Sequence, residues 1–227
     1  MTAVKNSFHY LSTKGLMVLK FIGFILIYQI SSAILENAPA TNNKAQYYQV
    51  LLYGVVAIAI SIAFIVWRYR KQLKAHNPFH FKRRKFDENA LIIFIILLIS
   101  MIVIQVIWSS LIANHMISEP TNQKDVEAIL KSAPLTNYIF AGVFAPIFEE
   151  LIFRGIFFNY FFKLTNGIIT RIIGIIVCGG IFGFMHTLTF DINWVFYSLL
   201  GVVLSTTYLI FKDIRYDTAL HMINNLI

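Results

Sequence analysis

Apolar residues in this chain run in long unbroken blocks, with polar residues gathered between them. Six blocks, at 15–35, 47–67, 90–113, 137–162, 168–186 and 192–211, approach or exceed the roughly 20 residues that carry a helix through a bilayer. A seventh apolar stretch starts near Asp217 and runs to Ile227. Segments apolar all round sit in lipid or in a protein core, and in lipid a helix satisfies its own backbone. The pattern therefore predicts an all-α, polytopic transmembrane helix bundle of about seven spans. A short amphipathic surface helix is expected over 123–132.

Composition agrees. Of 227 residues, 58% are hydrophobic and only 13% charged, against about 25% charged in soluble domains. Mean hydropathy is +0.69. The net charge of +8 raises the question of nucleic acid, but its placement answers it. Arg68, Arg70, Lys71, Lys74, Lys82, Arg83, Arg84 and Lys85 share one loop after an apolar span, which is the positive-inside pattern of a cytoplasmic loop beside anionic lipid. Lys5, Lys14, Lys163, Arg171, Lys212 and Arg215 fall on the same side when spans alternate. The other side, with Glu36, Glu119, Asp125, Glu127 and Asp191 among its charges, is net acidic. We read a multi-pass cell-membrane protein with a cytoplasmic N-terminus, the lipid bilayer as a partner and no nucleic acid. The first apolar run is too long for a signal-peptide core and lacks a cleavage site. Two regions follow: 1–136, three spans with the basic loop 68–86, and 137–227, a membrane core that holds the remaining spans. Cys178 is alone and reads as a small packing residue.

Ionisable side chains at membrane depth are costly and mark function. Glu149, Glu150 and Arg154 lie in the fourth block, in FAPIFEELIFRGIFF. Glu150 and Arg154, four apart with the acid first, predict a helical ion pair. Glu149, about 100° round the helix, is the freer carboxylate and the candidate general base. Pro146, one turn earlier, removes a helical hydrogen bond and predicts a kink. Phe182 and His186 share one helical face, and His221 and Asn225 another. Phe182 reads as packing. Gly179 and Gly183 predict a close helix approach. His9, His76, His80 and His115 lie in flanks or loops and receive no role.

Two schemes use these groups. Glu149, His186 and His221 could bind a zinc ion with a position open for water. Alternatively Glu149 and His186 activate water with no cofactor, while His221 and Asn225 donate to the developing oxyanion. Both end in amide hydrolysis, and the metal-free scheme is preferred. No internal repeat supports a transporter. The remaining alternative is a non-enzymatic scaffold or bacteriocin-immunity protein that keeps the cluster as a structural lock.

The motifs carry a resemblance. EELIFR, FGFMH and HMINN, in that order, resemble the Glu-Glu-x-x-x-Arg, Phe-x-x-x-His and His-x-x-x-Asn motifs of the CPBP intramembrane protease family, which includes CAAX prenyl endopeptidases and bacteriocin-processing or self-immunity proteins. The resemblance covers roughly 137–227. It implies that Glu149 and His186 activate water, that His221 and Asn225 stabilise the oxyanion, and that Glu150 and Arg154 complete the first motif. The expected substrate is a membrane-associated peptide or protein, such as a pheromone or a bacteriocin leader, rather than a prenylated one. A composition rich in Ile, Phe, Lys and Asn points to an AT-rich bacterial source. Two expectations conflict with a compact site: the last stretch is short for a span, and His186 falls near the outer end of its block while His221 falls about one turn from the cytoplasmic side.

Overall fold

The computed structural model describes residues 2–37, 43–77, 79–121, 123–124, 134–162 and 167–227, with side chains from residue 14 onward. The surface helix expected over 123–132 lies almost wholly outside them, as does Lys163. The all-α expectation holds. The helices are α1 (Thr2–Glu36), α2 (Lys44–Ala75), α3 (Glu88–Ala113), α4 (134–161), α5 (Ile168–Thr187), α6 (Ile192–Phe211) and α7 (Ile214–Leu226). Among the described residues, α1 from Lys14, α2, α3, α5 and α6 are long and apolar enough to cross a membrane. Of the other two expected spans, α4 is interrupted, and α7 covers the last described residues, Ile214–Leu226.

Boundaries shift where local chemistry competes with hydropathy. The second apolar block ends at Trp67, but α2 continues to Ala75 because Arg68, Arg70, Lys71, Gln72 and Lys74 are good helix formers in water as well as at the interface. The last helix begins at Ile214, ahead of the apolar stretch, because Asp213 caps it by accepting from the Arg215 N–H at 3.2 Å.

The chain forms two compact units, Met1–Tyr69 and Arg70–Ile227, divided within α2. In the first, α1 and α2 run antiparallel: Phe24 meets Phe64 at 6.0 Å between ring centroids, and Gly54 lies against Leu35, where a Cβ would come within 2.8 Å of the Leu35 Cα.

In the second unit α6 is the hub, packed against α5, α3 and α7. Trp108 of α3 stacks on Phe196 at 5.5 Å, meets Tyr197 edge-on at 4.7 Å and donates its indole N–H to Asn193. The expected close approach at Gly179 and Gly183 is present. A Cβ on Gly179 would lie 2.8 Å from the Ser198 carbonyl, and one on Gly183 would lie 2.8 Å from the Trp194 carbonyl and collide with Ser198 Oγ. Cys178, buried, donates its thiol to the Phe153 carbonyl and ties α5 to α4.

Connections sort onto two ends. At one, the Lys82 N–H donates to the Lys212 carbonyl, the Arg84 N–H to the Asp213 carboxylate and the Asn159 amide to the His76 carbonyl. The basic loop, the end of α4 and the α6–α7 turn therefore share a side, as alternating spans require. At the other end the Asn193 amide donates to the Ser118 carbonyl. Burial pushes the Asp213 carboxyl up, but the Arg215 side chain and the N–H groups of Arg84 and Arg215 outweigh it and hold the group below its ordinary value.

The substitution Gly183→Leu should lower the melting temperature and folded yield in detergent, because its side chain would meet α6 main chain and cost about 1–3 kcal/mol or more. Wild-type melting would show that α5 and α6 are not held this closely.

Candidate active site

The site is assembled from α4, α5, α6 and α7. Its framework is α4, in which α-helical turns alternate with wider π-helical ones. Phe140–Phe144 and Glu150–Ile156 are π-helical and flank the α-helical Ala145–Glu149. The interruption expected at Pro146 is thus a change of helical register: the Ala145 N–H reaches back five residues to the Phe140 carbonyl. The second wide turn starts at Glu150 and contains Arg154, both wholly buried.

The expected ion pair forms. Arg154 Nη1 donates to Glu150 Oε1 at 2.9 Å, and Nη2 donates to the Gly201 carbonyl of α6 at 3.1 Å. The guanidinium lies over the Phe182 ring, 4.6 Å from its centroid. Glu150 Oε1 also accepts from His221 Nδ1 at 2.7 Å. Phe182 also meets Phe153 and His221 edge-on at 5.6 and 5.8 Å, and His186 at 4.3 Å. It packs, as its residue type suggests.

Hydrogen bonding fixes both imidazoles. His186 Nδ1 lies 2.8 Å from the Phe182 carbonyl, which can only accept, so Nδ1 carries the hydrogen. His221 Nδ1–H is likewise committed to the Glu150 carboxylate. Each ring then turns Nε2 inward, and each Nε2 lies 3.8 Å from Glu149 Oε2. Tyr197 of α6 stacks on His186 at 4.8 Å and helps to fix the ring plane. The structure therefore brings Glu149, His186 and His221 together, with Glu150, Arg154 and Phe182 behind them.

Asn225 is placed differently. It is exposed, and its amide donates to the Ala141 carbonyl of α4 at 3.0 Å. Its buried neighbour Asn224 accepts from Gln105 of α3 at 2.8 Å. The conflict over depth also resolves. His221 is seven residues, about 10 Å, into α7 rather than one turn, because the helix starts at Ile214.

Three residues escaped the sequence reading. Asp217 is wholly buried and turns its carboxyl group toward Glu150, although neither oxygen meets strict hydrogen-bond geometry. The signal was present in the spacing, since Asp217, His221 and Asn225 recur every four residues. Gln105 was legible as a polar residue inside the apolar block 90–113. Tyr197 had no signal, because an aromatic residue in an apolar helix is ordinary.

Residues 131–227 match the family model described as Rce1-like, type II CAAX prenyl endopeptidase Rce1-like. All three motifs fall inside the match, so this segment is similar to that protease family, as the motifs indicated. Comparison with curated proteins and with solved structures finds no match.

Zinc fits this site in chemical kind but not in spacing. Bonds of about 2.0–2.1 Å place tetrahedral ligand atoms about 3.3 Å apart, whereas each imidazole nitrogen lies 3.8 Å from Glu149. Among the described residues no group of three or more His, Cys, Asp or Glu side chains is arranged to hold a metal ion.

Replacing Arg154 by Ala should sharply lower folded membrane yield, because removing one partner of a buried ion pair costs about 3–5 kcal/mol. Quantifying folded protein by size-exclusion chromatography in detergent checks this, and normal yield with normal activity refutes the structural role of the pair.

Proposed function

We propose that this protein is an intramembrane endopeptidase that hydrolyses a peptide or protein substrate at the membrane, with Glu149 as general base. The observation that carries the reading is the meeting of Glu149 Oε2 with two imidazole Nε2 atoms, both 3.8 Å away and both held by hydrogen bonds at Nδ1. The three atoms converge at separations that one bridging water spans, and water is the reactant that hydrolysis requires. Glu149 takes a proton from that water, and the hydroxide attacks the scissile carbonyl carbon. His186 orients the water. His221, held at Nδ1 by Glu150, turns Nε2 to the developing oxyanion and supplies its hydrogen bond. The proton held by Glu149 then passes to the departing amine as the carbon–nitrogen bond breaks.

No step in this scheme needs a metal. The family's description names CAAX prenyl substrates. For this chain we propose a membrane-associated peptide, of the pheromone or bacteriocin-leader type. We place the N-terminus and the basic loop in the cytoplasm, by the charge distribution.

In cells lacking the native gene, Glu149→Gln and His186→Ala, each at wild-type membrane abundance, should lower peptide processing by about 10²-fold or more. Full processing by both variants would mean that the cluster is structural and that the protein acts by binding.

A further inference from the structure

Pro146 creates a problem that the main chain of α4 does not solve. The Ala141 carbonyl would accept from residue 145 in an α-helix and from residue 146 in a π-helix. The Ala145 N–H is already given to the Phe140 carbonyl. Residue 146 is proline and has no N–H. The donor that reaches the Ala141 carbonyl comes from another helix: the Asn225 amide, at 3.0 Å. Nearby, Tyr138 donates its hydroxyl to the Leu226 carbonyl at 3.4 Å, and Leu226 packs against Gly142 so closely that a Cβ there would come within 2.5 Å of it. One turn back along α7, His221 grips Glu150 at 2.7 Å, beyond the proline. The short helix α7 thus holds α4 on both sides of its break.

We propose that Asn225 is a positioning residue. Its amide supplies to the Ala141 carbonyl the hydrogen bond that Pro146 removes, splints α4 across the proline and so aims Glu149 at the two imidazoles. This differs from the oxyanion-donor role that the family resemblance implies for Asn225. The proposal rests on the hydrolase reading only for its activity readout.

The two roles separate in a double-mutant cycle of the full-length protein in detergent: wild type, Asn225→Ala, Pro146→Ala and the double variant. In the native background, Asn225→Ala should lower the melting temperature by roughly 2–6 °C, the effect of one half-buried main-chain acceptor left unpaired. In the Pro146→Ala background residue 146 regains its N–H, and the same substitution should shift melting by at most about 1 °C. Peptide processing lost in Asn225→Ala should return in the double variant. The proposal is overturned by equal melting shifts in both backgrounds, or by no shift in the native one. It is also overturned if melting recovers in the double variant, Pro146→Ala alone processes normally, and processing stays lost, which would place Asn225 at the reacting atoms. Should Asn225→Ala yield too little protein to melt, recovered yield in the double variant supports the splint and unrecovered yield refutes it. A failure of the hydrolase reading would show separately, as active-site variants that process normally while the melting cycle stands.

Discussion

A guanidinium cut off from solvent must be solvated by the protein around it, and the second unit is organised around that need. Arg154 is wholly buried and meets a carboxylate, a main-chain carbonyl and an aromatic face. These partners come from α4 itself, α6 and α5. Through Glu150 the pair extends to His221 of α7. One charge requirement therefore fixes the mutual positions of four helices. The same arrangement leaves Glu150 occupied and Glu149 facing both imidazoles, so two adjacent carboxylates acquire different tasks from their surroundings alone.

The departures from regular helix serve that division. A uniform α-helix places neighbouring side chains about 100° apart, yet Glu149 and Glu150 both address His221, at opposite nitrogens of the ring. The change to a wider turn at Glu150 is where the backbone accommodates this. Wide turns inside α-helices recur at functional sites because they re-aim side chains at the cost of hydrogen-bond regularity. In α4 that cost is met from outside, by α7.

Packing around α6 supplies the rigidity. Without a strong hydrophobic drive between helices in lipid, close association depends on small residues and on hydrogen bonds across the interface. Both occur here. Gly179 and Gly183 bring α5 onto α6, while Trp108, Asn193, Gln105 and Asn224 tie α3 to α6 and α7. Tyr197 then carries that rigidity directly to the His186 ring.

Hydropathy by itself determined the all-α membrane class and the extents of α3, α5 and α6 to within two residues, and charge placed the basic loop beside the α6–α7 turn. Each of these depends on interactions with solvent or lipid, which act on every residue independently of its partners. The spacing of four also fixed the Glu150–Arg154 pair and the helical faces of His186 and His221, because helical geometry is local. Tertiary structure decided the rest. It set the wide turns of α4, the start of α7 at Ile214, the inward aim of both Nε2 atoms, the burial of Asp217 and the attachment of Asn225 to Ala141. These follow from which carbonyls and charges lack a partner once the helices meet, and that is a property of the packed bundle rather than of any one segment.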